Sequence, residues 1–269
     1  MEILRDSVMA VLRNKRIWLL QFLVNPVVWG AAVGWLLIPE AKAWQVGSTA
    51  LLALLILVAF LWLHGTTLAY FGDYHAAGFL RVRASFRPGN TVPFAIWAVL
   101  FVFLLHVVWH VGQSVAEFSV YLESISPAWL RRTMGEMGTY RSLTFIFWIL
   151  FWIVVPGLLL PFGLQAGRNG FQAFKRAGAR AWRSTTGNRV YWSSLIMLVI
   201  VGAYVPGLLI NWLPKLDSMN GETISLVVRF ALAWMLAATA WTLMASMLGR
   251  LGNPESSRYL GGKSTTKPA

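Results

Sequence analysis

Residues 174–192 read FKRAGARAWRSTTGNRVYW, a cluster of cations that runs without pause into a long apolar stretch. A nucleic-acid grip, an enzyme hinge and a membrane collar can all carry such a stretch, and the placement of its residues decides between them. At 100° per residue Phe171, Phe174, Gly178 and Trp182 share one helical face, and Arg176, Arg180 and Arg183 share the opposite one. Gly187-Asn188 then supplies a helix stop before the apolar run begins. This is the pattern of an interfacial helix, with aromatics at the acyl boundary and guanidinium groups among anionic phospholipid headgroups. The spacing predicts one surface helix over residues 168–186. Each of its surface cations adds about 1 kcal/mol on an anionic leaflet.

Composition agrees. Hydrophobic residues make up 57% of the 269, and only 12% are charged, where soluble domains carry about a quarter. Mean hydropathy is +0.61. A net charge of +13 suits nucleic acid in principle. Here the cations lie in the gaps between apolar runs, which argues against a nucleic-acid partner. Fifteen Trp fit membrane interfaces, where that residue is enriched. The absence of Cys removes disulfides, thiolate metal sites and a Cys nucleophile together.

Six apolar runs are long enough to cross a core about 30 Å thick: residues 17–38, 48–71, 93–114, 142–165, 190–213 and 223–249. Continuous runs without alternation are helices rather than barrel strands. The expected fold is all-α, a single six-span integral membrane domain over residues 1–249 with interfacial amphipathic helices on its cytoplasmic face. Residues 250–269 form a short polar tail expected to be disordered. The first run, interrupted by Asn25-Pro26, is too long for a signal-peptide core and reads as a retained span. Connections on one side carry 17 Lys and Arg, and those on the other carry 5. By the positive-inside rule both termini are cytoplasmic and the chain belongs to the cell (inner) membrane.

The collar design recurs. Leu4, Val8 and Val11 form an apolar stripe ahead of LRNKRIW, and FLRVRASFRPGNTVPFAIW (79–97) precedes the third span with its own Gly89-Asn90. The chain therefore reads as three units of collar plus helical hairpin. On the outer side, Ser126-Pro127 is a helix start, with Trp129, Leu130 and Met134 placed to lay that helix on the surface.

Polar residues inside spans are the candidate sites. His106 and His110 are four apart on the third span, and His64 is on the second. Neutral His ligates metal or haem, but His64 and His106 differ by roughly 9 Å in depth. Hydrogen bonding across helices is the plainer role. Arg229 is the one cation within a span. It either snorkels to the outer headgroups or joins a polar cluster with His110 and Glu117, with Gln113 bridging and Glu222 a further acid in reach. A Pro-Gly-Leu-Leu repeats at 156–159 and 206–209. Paired interruptions of this kind kink helices and mark binding sites in some transporters. AAVG (31–34) and the Ala-rich face of the sixth span read as close-packing surfaces. Asp73 and His75, two apart, do not make a site alone. No Walker loop, nucleophile elbow or zinc motif occurs, and no cofactor is expected.

Residues 166–192 resemble the basic-helix, Gly-Asn, span element of uncharacterised bacterial six-span membrane proteins. They are also similar to the membrane-embedded portion of some glycerophosphodiester phosphodiesterases. Those enzymes keep catalysis in a separate soluble domain, so the resemblance carries over no catalytic residue. VMAVLRNKRIWLLQFLVNPVVWG (8–30) resembles the beginning of small ABC-exporter permeases, which implies an ATPase partner subunit coupled through residues 72–92. The expectation is a non-enzymatic membrane scaffold or accessory subunit with a basic, lipid-facing inner surface. The alternatives are an exporter permease subunit and a haem- or metal-binding membrane protein.

Overall fold

The computed structural model describes residues 2–39, 42–77, 86–214 and 218–252, and all regular structure among them is helical. The chain forms α1 (Glu2–Leu12), α2 (Lys15–Leu36), α3 (Ala43–Ala77), α4 (Thr91–Gln113), α5 (Val115–Ile125), α6 (residues 128–169), α7 (Arg176–Thr186), α8 (Arg189–Asn211) and α9 (Met219–Leu251). Six of these, α2, α3, α4, α6, α8 and α9, are long and apolar enough to cross a membrane.

Three of the six share one local device. Proline lacks an N–H, and its ring collides with the carbonyl four residues back. Ahead of Pro26, Pro156 and Pro206 the helix widens into a single π turn, at Leu20–Val24, Leu150–Val154 and Ile200–Tyr204. In each case the residue preceding the proline donates to the carbonyl five back, as in Asn25 to Leu20. The wider turn makes room for the ring.

The even-numbered spans α3, α6 and α9 touch one another, and each odd-numbered span lies against two of them. Thus α2 packs on α3 and α9, α4 on α6 and α3, and α8 on α9 and α6. That is an approximate threefold arrangement of hairpins, in line with the three units read from the collars. The buried residues gather at the end carrying α1 and α7, hereafter the collar end, in 61–72, 160–173, 191–198 and 238–249. Lipid tails are as apolar as Leu, so burial of Leu does not drive helices together in a bilayer. Small residues and interhelical hydrogen bonds do. The collar half has both. Gly249 rests directly on the Phe71 carbonyl, a spot no Cβ could occupy, beside the buried Ala245, Ser246 and Thr242. The far half has few such residues, Arg229 apart, and most of its large apolar side chains are exposed.

Four details differ from the sequence reading. Residues 168–186 are not one helix. The α6 helix runs on to Asn169, and Gly170 adopts a φ of 57° that a side chain would strain. A 3-10 segment over Gly170–Phe174 and an extended Lys175 then precede α7. Ser126 does not cap the outer helix, because its hydroxyl donates to the Leu122 carbonyl. That helix starts at Ala128 and continues without a break into the fourth span, so it is not a separate surface element. Residues 31–34 lie in the open far half, where a Cβ on Gly34 would meet nothing within 4 Å. They are not a packing face, whereas Ala233, Ala238, Ala240 and Ala245 of the sixth span are buried. The basic segment 78–85 and the tail 253–269 lie outside the described residues.

Candidate functional site

The collar helix α7 is held on the bundle by two tryptophans, its own Trp182 and Trp192 of α8, whose Nε1 donates to the Thr186 carbonyl at 2.7 Å. Trp182 Nε1 donates to the Leu158 carbonyl at 2.7 Å, and its ring stacks on Phe162 at 5.7 Å between centroids. Gly178 presses on the Ala173 carbonyl, and Thr185 is buried. Arg176, Arg180 and Arg183 occupy the opposite face and are exposed. Spaced over seven residues, they form a row about 10 Å long. Among the described residues no carboxylate pairs with any of the three. Phe171 and Phe174 are exposed beside them on the 3-10 segment. Trp182 therefore faces the protein, while those two Phe remain free to meet lipid. Arg13, Lys15, Arg16, Arg87 and Arg189 are exposed at the same end.

The hold on α6 has a specific cause. Pro161 cannot donate to Gly157, its partner four residues back in the helix. Tyr191 of α8 supplies the missing donor, its hydroxyl 2.7 Å from the Gly157 carbonyl. The next two carbonyls also accept from other helices, Leu158 from Trp182 and Leu159 from Trp97 Nε1 of α4 at 2.8 Å. One kinked span thereby fixes α4, α7 and α8 together.

The three asparagines that close the collars have three different partners. Asn90 Nδ2 donates to the Gly167 and Arg168 carbonyls, both at 2.9 Å, and so caps the end of α6. Asn188 caps its own helix by accepting from the Val190 amide. Asn14 donates to the Tyr70 hydroxyl of α3. Asn14 begins a buried polar seam that sequence reasoning missed. Gln21 donates to Thr67 Oγ1 at 2.8 Å and accepts from Asn25 at 3.0 Å across the π turn. Polar residues at 14, 21 and 25, on one face of an apolar span, were the available signal. Alongside them, α1 is tied to the end of α9 by the Arg250–Asp6 ion pair at 2.6 Å. The hydrogen bond from Arg250, and then its charge, holds the Asp6 carboxyl below the usual carboxylate range.

The structure does not bring the expected polar cluster together. Arg229 is only 6% exposed. Its Nη1 donates to the carbonyls of Ile210 at 3.2 Å and of Trp212, with Leu209 at 3.5 Å, and its Nε donates to Ser225. It is the cap of α8, cationic where the helix dipole is negative. His110, Gln113 and Glu117 are exposed on α4 and α5, and among the described residues no ion pair joins Glu117 to Arg229. The rings of His106 and His110 meet edge to face at 4.2 Å. His64 is elsewhere, packed on Phe60 and edge-on to Trp241 at 5.4 Å. No group of three His, Asp or Glu positioned for a metal occurs among the described residues. The backbone at Asp73 and His75 is helical, and their side chains lie outside the description.

No family model, curated protein or solved structure matches this chain.

Proposed function

We propose that the protein is a non-enzymatic scaffold or accessory subunit of the cell's inner membrane, whose basic collar faces the cytoplasm and gathers anionic phospholipids. The observation that carries this reading is the α7 row. Arg176, Arg180 and Arg183 are exposed and without carboxylate partners among the described residues, on a helix whose other face is bonded to the bundle. Three fixed cations beside exposed aromatics match a surface of phosphate headgroups. A catalytic platform would call for acid–base pairs or metal ligands, whereas the buried Asn14, Gln21 and Asn25 and the capping Asn90 are engaged in hydrogen bonds within and between helices.

The test is lipid composition after extraction into native nanodiscs. Replacing Arg176, Arg180 and Arg183 with Gln is expected to lower the enrichment of phosphatidylglycerol and cardiolipin around the protein severalfold, at unchanged folding. Unchanged enrichment would leave the arginines a topological role and remove the lipid-gathering function.

A further inference from the structure

In the far half, α6 and α8 separate into a lateral groove of ≈ 610 Å³, within the roughly 300–1,000 Å³ typical of small-molecule sites. Its origin is visible in the backbone. The π turns of α6 and α8 both line it, through Trp152 and Ile153 on one side and Ile200, Ala203 and Tyr204 on the other. Each turn precedes a Val-Pro-Gly, and π turns recur at functional sites. Trp148 and Trp152 stack at 2° to form a flat wall. The opposite wall is lowered at Ala203 and Gly207, one turn apart. A Cβ built on Gly207 meets nothing within 4 Å.

Three observations say what fills it. The groove belongs to segments that lie inside the hydrocarbon layer when the six helices span it, so lipid tails are its immediate surroundings. Along α8 it extends from Val199 to Asn211, about 18 Å at the helical rise, close to the roughly 15 Å of one leaflet in a 30 Å core. Its lining is apolar and aromatic except for the Tyr204 hydroxyl partway along and Asn211 at the far end, the end at which a tail joins its headgroup. We infer that this groove is a binding site for one acyl chain of a phospholipid from the leaflet opposite the collar. The inference rests on the helices crossing a bilayer and is independent of the collar's lipid preference.

Gly207 provides the decisive variant, because a side chain there enters open space and leaves the packed half untouched. The full chain is placed in phosphatidylethanolamine–phosphatidylglycerol nanodiscs doped with a phosphatidylethanolamine bearing a diazirine on one palmitoyl chain. It is then irradiated, and adducts are mapped by mass spectrometry. Labelling of residues 145–153 and 199–211 is expected to exceed severalfold that of the open α4 face at Val99, Val102 and Phe103. Gly207→Leu is expected to abolish that excess while labelling of the α4 face stays the same. Equal labelling of groove and face overturns the site, as does an excess that Gly207→Leu leaves intact. Disulfide formation under oxidant between two copies of the single-cysteine variant Tyr204→Cys, in a chain that otherwise has no Cys, also overturns it, since a helix and not a lipid would then occupy the groove.

Discussion

Removing the guanidinium of Arg229 strands the carbonyls it caps at the end of α8, in a place that water hardly reaches. A buried polar group left without its partner costs about 1–3 kcal/mol, so Arg229→Leu is expected to destabilise the protein by roughly that amount in detergent unfolding. Arg229→Lys keeps the charge but loses the planar fork, and should recover only part of the loss. Glu117→Gln should add to Arg229→Leu independently, because the two residues share no partner. A coupling beyond ~0.5 kcal/mol would restore the charged cluster. That Arg229 was oddly placed is legible in the sequence. Its partner is not, because a backbone carbonyl has no residue type to signal it. At the collar end, Asp6 allows a pH test. Its carboxyl titrates below the usual 3.9, so the bridge to Arg250 contributes fully above that value and fades as pH falls through the lowered one. The pair is partly exposed and worth at most about 1 kcal/mol. The protection factors of α1 amides, taken relative to the intrinsic exchange rate at each pH, should fall modestly as pH drops through the lowered Asp6 value, and Asp6→Asn should show that lower protection at every pH.

Among the elements, α6 carries the clearest demand. Tyr191→Phe removes the hydroxyl that serves the Gly157 carbonyl, at a cost of about 1–3 kcal/mol. Pro161→Ala supplies a backbone N–H to the same carbonyl, so the double variant should recover part of the Tyr191→Phe loss. Simple additivity would show that the hydroxyl is not the substitute donor. The Pro-Gly-Leu-Leu repeat made the interruptions of spans four and five visible beforehand. Asn25-Pro26 marked the interruption of the first span as well, but the π turn common to all three emerges only from the backbone. The collar helix was legible as amphipathic because its arginines fall at helical spacing. The break before it was not, since Gly170 adopts its positive φ where Asn90 and Pro93 press close, and both are distant in sequence.

Across the whole molecule, composition and apolar run lengths were enough for six helices, because lipid leaves an exposed backbone few alternatives. The threefold grouping of hairpins was foreshadowed by repeated collars, whereas the tight half and the open half were not. That asymmetry depends on which small and polar side chains meet across helices, and periodicity within one helix says nothing of its neighbours. The central claim is that all collars face the cytoplasm beneath a six-span bundle. The chain contains no Cys, so single cysteines at Ala43, Gly89, Gly138, Asn169 and Asp217 can be probed in intact cells with a membrane-impermeant maleimide. Labelling is predicted at 43, 138 and 217, and only after permeabilisation at 89 and 169. Labelling of 89 or 169 in intact cells, or the same response at two consecutive positions, would contradict the threading and with it the inner-leaflet role of the arginine row.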